Sequence, residues 1–225
     1  MTAPRRVGLL GGTFDPIHTG HLDVARAAQR ELGLTAVHVL PANVPPHRPQ
    51  PMASAFHRFA MAAIAVTGLP GWRASDLELR MAVPSFTAHT LRCYHERGYA
   101  PDELFFLLGA DAFREIHHWH EFPAILDAAR FVVVSRAGYE SDLEVISQGL
   151  TSRSDRAVFV QAQTMDVSSS AIRQARADGQ PITGMVPPAV QQHIEQHGLY
   201  TPMPPDRRPR TRRDGVAADR LHGQN

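Results

Sequence analysis

The stretch Gly11-Gly12-Thr13-Phe14-Asp15-Pro16-Ile17-His18-Thr19-Gly20-His21 constrains the fold of this chain more than any other. It follows an apolar run, Val7 to Leu10, that reads as a buried first strand. It precedes Leu22 to Leu32, where apolar residues recur at helical spacing. Two glycines therefore end a strand and two histidines open a helix. Glycine lets the backbone approach a ligand closely, and a helix N-terminus presents unpaired N–H groups and a positive dipole end to an anion. The spacing predicts a phosphate-binding turn without a P-loop lysine.

Gly33 acts as the helix stop, and Ala36 to Leu40 reads as a second strand, which completes a β-α-β unit. Its crossover is expected to be right-handed and its strands parallel. Ligands then bind beyond the carboxyl ends of the strands, next to Gly11 and Pro41. The following segment, Pro41 to Pro51, holds five prolines. It is stiff and non-helical, so it either presents Asn43, His47 and Arg48 to a ligand or serves as a rigid connector.

Alternating strand and helix signals continue to residue 200, and 225 residues with 43% hydrophobic content can bury one substantial core. The expectation is one α/β domain over residues 1–201, a Rossmann-like open parallel sheet with helices on both faces. Residues 202–225 form a basic tail without periodicity, expected to be disordered. Its arginines, Arg207, Arg208, Arg210, Arg212 and Arg213, read as a solvated charge run, with nucleic-acid contact as the alternative. A net charge of +1 with histidines neutral argues against a polyanion-binding surface on the body of the protein. The lone Cys93 rules out an internal disulfide framework, no run approaches the roughly 20 apolar residues of a membrane span, and the first strand starts too early for a signal peptide. These features predict a cytoplasmic protein with neither a membrane nor a nucleic acid as partner, either monomer or small homo-oligomer.

Further along, Ser54 is placed to cap a helix through Thr67 with Phe56, Phe59, Ala60, Ala63 and Ile64 buried. Trp72 to Leu79 reads as a third strand. Thr87 stands at or near the start of a helix ending near Gly98, as an ordinary cap or as part of an anion site. Leu104 to Leu108 reads as a central strand, ended by Gly109-Ala110-Asp111; Asp111 suits either a ribose or a metal-linked phosphate, or a helix cap. His117-His118-Trp119-His120-Glu121 is not a metal motif, because adjacent histidines on a helix point apart. Trp119 is either an aromatic platform or core. Strands are expected over Ala129 to Arg136 and Ala157 to Val160, with a surface helix and loop over residues 138–156 between them. Asp166-Val167-Ser168-Ser169-Ser170-Ala171-Ile172-Arg173 then leads into a helix whose first turn offers hydroxyls, N–H groups and a guanidinium, which suits phosphate oxygens as well as it suits a plain serine cap. Pro187-Pro188-Ala189-Val190 starts a last helix that reaches about His197, closed by Gly198.

The glycine loop with His18-Thr19-Gly20-His21 resembles the signature of the nucleotidylyltransferase superfamily, and Ser168-Ser169-Ser170-Ala171-Ile172-Arg173 resembles its second motif. Residues 5–200 are similar to bacterial nicotinate-nucleotide adenylyltransferases, through Asn43-Val44-Pro45-Pro46-His47-Arg48, Pro84-Ser85-Phe86-Thr87, Gly109-Ala110-Asp111, Trp119 and Arg136 with Gly138-Tyr139. Ser170 stands where threonine is usual, Phe86 and His120 where tyrosine is common, and Ala137 where proline is. The resemblance implies adenylyl transfer from ATP to nicotinate mononucleotide, giving deamido-NAD and pyrophosphate. It implies His18, His21 and Arg173 as catalytic residues. ATP would be bound by Gly11, Gly12, Thr13, Phe14, His18, His21, Gly109, Asp111, Arg136, Ser168, Ser170, Ile172 and Arg173. Nicotinate mononucleotide would be bound by Asn43, His47, Arg48, Thr87 and Trp119, with Mg2+ carried mainly by the ATP phosphates. A noncatalytic nucleotide sensor is the competing class; its mark is degenerate motifs, and these are intact.

Overall fold

The computed structural model describes residues 5–44, 50–81, 84–135 and 151–202. Six strands, β1 (Val7–Gly12), β2 (Ala36–Pro41), β3 (Trp72–Ala74), β4 (Leu104–Gly109), β5 (Arg130–Ser135) and β6 (Ala157–Gln161), form one sheet in the order β3-β2-β1-β4-β5-β6. Every neighbouring pair is parallel. Chain order runs outward in both directions from β1 and β4, so the sheet reverses its winding between them. In an open α/β sheet that switch point opens a crevice beyond the carboxyl ends of the strands.

The four inner strands, β2, β1, β4 and β5, are apolar at most successive positions because both faces of the sheet are covered there. Leu10, Val37, Val39, Phe105, Leu107, Val132 and Val134 point into one core. Leu9, Leu40, Leu104, Phe106, Leu108, Phe131 and Val133 point into the other. Helices α1 (Thr19–Leu32), α2 (Ala55–Val66), α6 (Ser169–Ala177) and α7 (Pro188–Gln196) contribute to the first core. Helices α3 (Thr87–Glu96), α4 (Ala110–Arg114) and α5 (Ile125–Ala128) contribute to the second. No helix among the described residues is long and apolar enough to cross a membrane.

Two expectations about scaffold change. The third strand ends at Ala74, and Glu78–Arg80 instead forms a 3-10 turn that buries Glu78 against Thr90, whose Oγ1 donates to Glu78 Oε1 at 2.7 Å. A polar residue in need of a partner overrides the loose alternation of that segment. Helix α2 has the expected bounds and its Ser54 cap, but it buries Arg58, Met61, Ala62, Ala65 and Val66, while Phe56 is 74% exposed. Of the stripe that hydrophobicity marked, Ile64 packs against the core while Phe59, Ala60 and Ala63 are half-buried; the buried face is rotated from it, because the side facing the sheet includes an arginine. The expected tail beyond Pro202 and most of the segment from 138 to 156 lie outside the described residues; 151–156 is a 3-10 segment.

Candidate active site

Register places the predicted ligand residues on one edge. Gly11 and Gly12 lie beside Leu40 and Pro41, Leu10 beside Leu107, and Gly109 beside Val134. The glycines are required by what packs on them. A Cβ on Gly12 would sit 2.8 Å from the Phe14 ring, and one on Gly11 would sit 3.1 Å from Phe106. Phe14 itself takes a positive φ of 50° and is buried. Its ring supports the loop and meets His21 edge-on at 5.0 Å, so any nucleotide contact by Phe14 runs through its backbone, not its side chain.

His18 is the N-cap residue of α1, and its ring stacks on that of His21 at 3.6 Å. Gly20 makes room for this arrangement, since a Cβ there would lie 3.2 Å from His18 Nδ1. The His18 backbone N–H donates to His21 Nδ1 at 3.2 Å. That bond makes Nδ1 an acceptor and leaves the ring proton of His21 on Nε2. His18 is buried, which lowers its pKa to about 4 and keeps it neutral at pH 7; its Nδ1 is buried without a hydrogen-bond partner.

The start of α6 closes on the same loop. Ser169 Oγ donates to Pro16 O at 2.9 Å, and Arg173 donates through Nη1 to Asp15 O at 2.8 Å and through Nη2 to Ser170 Oγ at 3.2 Å. Ser168 caps the helix by accepting from Ala171 N at 3.1 Å. Ile172 is buried in the core and its N–H bonds to Ser168 O, so it anchors α6 and is not placed to touch a nucleotide. The N-termini of α1 and α6 thus meet at one turn, with the exposed Ser170 and the half-buried Arg173 on the α6 side and the two histidines on the α1 side.

Beneath the loop lies a network that sequence reasoning missed. The buried Asp15 carboxylate accepts from Met52 N at 2.7 Å, Ala53 N at 3.0 Å and Tyr200 Oη at 2.8 Å. Burial, then Asp15 itself, raises the Tyr200 pKa. Arg58, 1% exposed, donates to Thr13 O at 2.8 Å, Ala42 O at 2.5 Å, Asn43 O at 3.3 Å and Ala53 O at 3.3 Å. One guanidinium therefore ties the loop after β1 to the loop after β2. The signal available in the sequence was Arg58 itself, a charge interrupting an otherwise apolar helix.

The second half of the site adjoins the first through Phe106, which touches Gly11 on one side and meets the half-buried Trp119 edge-on at 5.9 Å on the other. His120, next to Trp119, stacks on Phe86 at 4.4 Å. Thr87 follows Phe86 as the first residue of α3; the N-cap is Phe86, so Thr87 is not an ordinary cap. Asn43 donates from its backbone to Ser85 Oγ at 2.9 Å and from its side chain to Met81 O at 3.3 Å, which joins the β2 loop to the α3 approach. Asp111 is likewise not a cap, because Gly109 holds that position; its side chain is 97% exposed and paired with Arg114. Glu121 and His120 do gather with His89 from α3, a grouping that the spacing of residues 117–121 could not show. His47, Arg48 and Arg136 lie outside the described residues.

Comparison with known proteins places this geometry. Residues 9–175 match the cytidylyltransferase-like family model. A probable nicotinate-nucleotide adenylyltransferase of Roseiflexus sp. is 40% identical over 195 residues, covering 86% of this chain and 97% of the relative. Proteins of the same description from Yersinia pestis and Pectobacterium atrosepticum are 37% and 38% identical, covering 94% and 99% of their lengths and 85% and 88% of this chain. Among solved structures, the Plasmodium falciparum nicotinic acid mononucleotide adenylyltransferase complexed with NaAD superposes with a TM-score of 0.70 at 19% identity, over 87% of this chain and 97% of that one. Its complex with APC gives 0.66 at 18%, with the same coverage.

Proposed function

The chain belongs to the nicotinate-nucleotide adenylyltransferases of the cytidylyltransferase-like family, and from that membership we propose that it transfers the adenylyl group of ATP to nicotinate mononucleotide by direct in-line attack. The observation that carries the mechanistic part is the meeting of two helix N-termini, α1 and α6, at the Gly11–His21 turn. Two positive dipole ends, two imidazoles, serine hydroxyls and one guanidinium around a single turn suit a polyphosphate.

The attacking group is a phosphate oxygen of the mononucleotide, already ionised at neutral pH. The site need not generate a nucleophile. It must hold the reactants in line and stabilise charge as pyrophosphate leaves. His21 is assigned the reacting α-phosphate, through the Nε2–H that its bond from His18 N–H orients. His18, neutral and buried, holds the adjoining phosphate oxygens. Arg173 has five N–H donors, of which the described bonds engage two; with Ser170 and the α6 N-terminus it takes the β and γ groups.

Magnesium fits this site as a partner of the nucleotide. A hard cation takes oxygen ligands, and the loop's own carboxylate, Asp15, is committed to Met52 N, Ala53 N and Tyr200, so the ATP phosphates would supply them. When bound, it neutralises charge on the departing pyrophosphate. At the acceptor end, Trp119 is assigned to stack on the pyridine ring. The N-terminus of α3 with Thr87 is assigned its carboxylate, with Asn43, His47 and Arg48 on the loop facing it.

The test is pyrophosphate release from ATP with three acceptors in parallel. Nicotinate mononucleotide is expected to be preferred over its amide, and 4′-phosphopantetheine to be inert. Preference for the amide, or reaction with 4′-phosphopantetheine, contradicts the acceptor assignment, and release with none of the three contradicts the enzyme reading.

A further inference from the structure

Three histidines with no role in the site above converge between α2 and α7. His57 stands in the first turn of α2, and His193 and His197 are four residues apart at the end of α7, hence on one face of that helix. One nitrogen from each lies within 4.8 Å of the others, and His57 Nδ1 and His193 Nε2 share a hydrogen bond at 3.1 Å whose proton a bound metal would replace. Ligand nitrogens around a tetrahedral zinc, at about 2.0–2.1 Å from the metal, are about 3.3 Å apart, so that pair is already at ligand spacing. The third ring, His197, is exposed, and a movement of at most about 1.5 Å closes the 4.8 Å limit to that spacing.

The rings are not arranged as a stack. Their planes are inclined at 65°, 55° and 46° to one another, with centroids 5.3, 4.8 and 4.4 Å apart. They approach through nitrogens from two helices, an i, i+4 pair facing a single residue. We propose that His57, His193 and His197 form a binding site for one divalent metal ion of the zinc class, clipping α2 to α7. Three imidazoles without a carboxylate suit Zn2+ or Co2+ and do not suit Mg2+ or Ca2+, so this site is distinct from the magnesium that accompanies ATP.

The clip has a structural purpose. Next to His57, Arg58 holds the carbonyls of Thr13 and Ala42, and the chain leaving α7 delivers Tyr200 to the Asp15 carboxylate. A metal joining α2 to α7 holds together the two segments that brace the nucleotide loop from below. The other cluster, His89, His120 and Glu121, is a poorer site, because Arg92 already pairs with Glu121 at 2.7 Å and places a positive charge beside any bound cation.

The full-length protein, tag removed and stripped with chelator, is titrated with Co2+ in the absence of nucleotide, following the visible ligand-field band, with Zn2+ as competitor. One equivalent is expected to bind and to be displaced by Zn2+. His57→Gln, and separately the pair His193→Gln with His197→Gln, are each expected to weaken binding by at least about 100-fold, whereas His120→Gln leaves it unchanged. Added Zn2+ is expected to raise the melting temperature of the wild type and not that of the His57→Gln variant, a readout that also verifies that the variant folds. Absence of the band in the wild type, its survival in both variant backgrounds, or its loss in His120→Gln overturns the proposal.

Discussion

Replacing Arg58 by methionine tests the brace beneath the site. Methionine follows the path of the aliphatic stem and removes four N–H···O bonds at once. Two of these, to Ala53 O and Ala42 O, are buried, and each orphaned acceptor costs about 1–3 kcal/mol, or about 2–6 kcal/mol together. Thr13 O and Asn43 O are only partly buried, so water takes over their bonds at little cost. Against this stands relief of the guanidinium's own desolvation, the leading cause that lowers its pKa. A net loss of about 3 kcal/mol results, a large share of the stability of an ordinary domain. Urea unfolding followed by tryptophan fluorescence reads it directly. Arg58→Lys is expected to recover only part, because an ammonium cannot reach diverging carbonyls with a planar fork. Since Thr13 and Asn43 belong to loops assigned to opposite ends of the candidate site, kcat/KM for adenylyl transfer should also fall, by about tenfold or more while the protein remains folded. A methionine variant within about 0.5 kcal/mol of the wild type, with unchanged kinetics, refutes the reasoning.

His21→Ala should lower kcat about 100-fold or more with little change in nucleotide affinity, as for the loss of one oriented donor to developing charge; single-turnover kinetics separate the two, and near-normal turnover removes the assignment. Tyr200→Phe should cost about 1.5–3 kcal/mol in urea unfolding, because its hydroxyl donates to a buried carboxylate at 2.8 Å; an unchanged midpoint counts against the Asp15 network. Stability should fall on mild acidification. Burial lowers both His18 and His38 to about 4, from an ordinary 6.5, so between those values the unfolded chain binds more protons than the folded one. The loss should reach about 4 kcal/mol for the pair between pH 7 and pH 5. Glu78, raised by burial, acts in the opposite sense and blunts the slope near its own titration. Denaturation midpoints that stay flat over that interval contradict the neutral burial of both histidines.

What could be read from the sequence was whatever local chemistry dictates. Continuous apolar runs marked β1, β2, β4 and β5, and Gly33 closed α1 in the left-handed conformation at φ 59°, because a strand buried on both faces and a helix C-cap each leave a local trace. Strand ends then located the loops, and the structure brings Gly11, His18, His21, Ser170 and Arg173 to one turn and places Phe106 between that turn and Trp119. Long-range partnership leaves no such trace. Nothing local shows that Asp15 meets Tyr200 from 185 positions away, or that Arg58 is surrounded by four carbonyls. Phe14 and Ile172 sit inside the two motifs assigned to the nucleotide, yet both are core. A motif specifies the whole turn, including the residues that only support it.

Direct transfer through an in-line geometry is tested most sharply by stereochemistry. An ATP analogue with sulfur on the α-phosphate, of known configuration, is incubated with nicotinate mononucleotide, and the configuration at the transferred phosphorus in the dinucleotide product is determined. A single displacement at the Gly11–His21 turn predicts product with inverted configuration. Retention, which requires a covalent enzyme intermediate, or the absence of a dinucleotide product, would contradict the account.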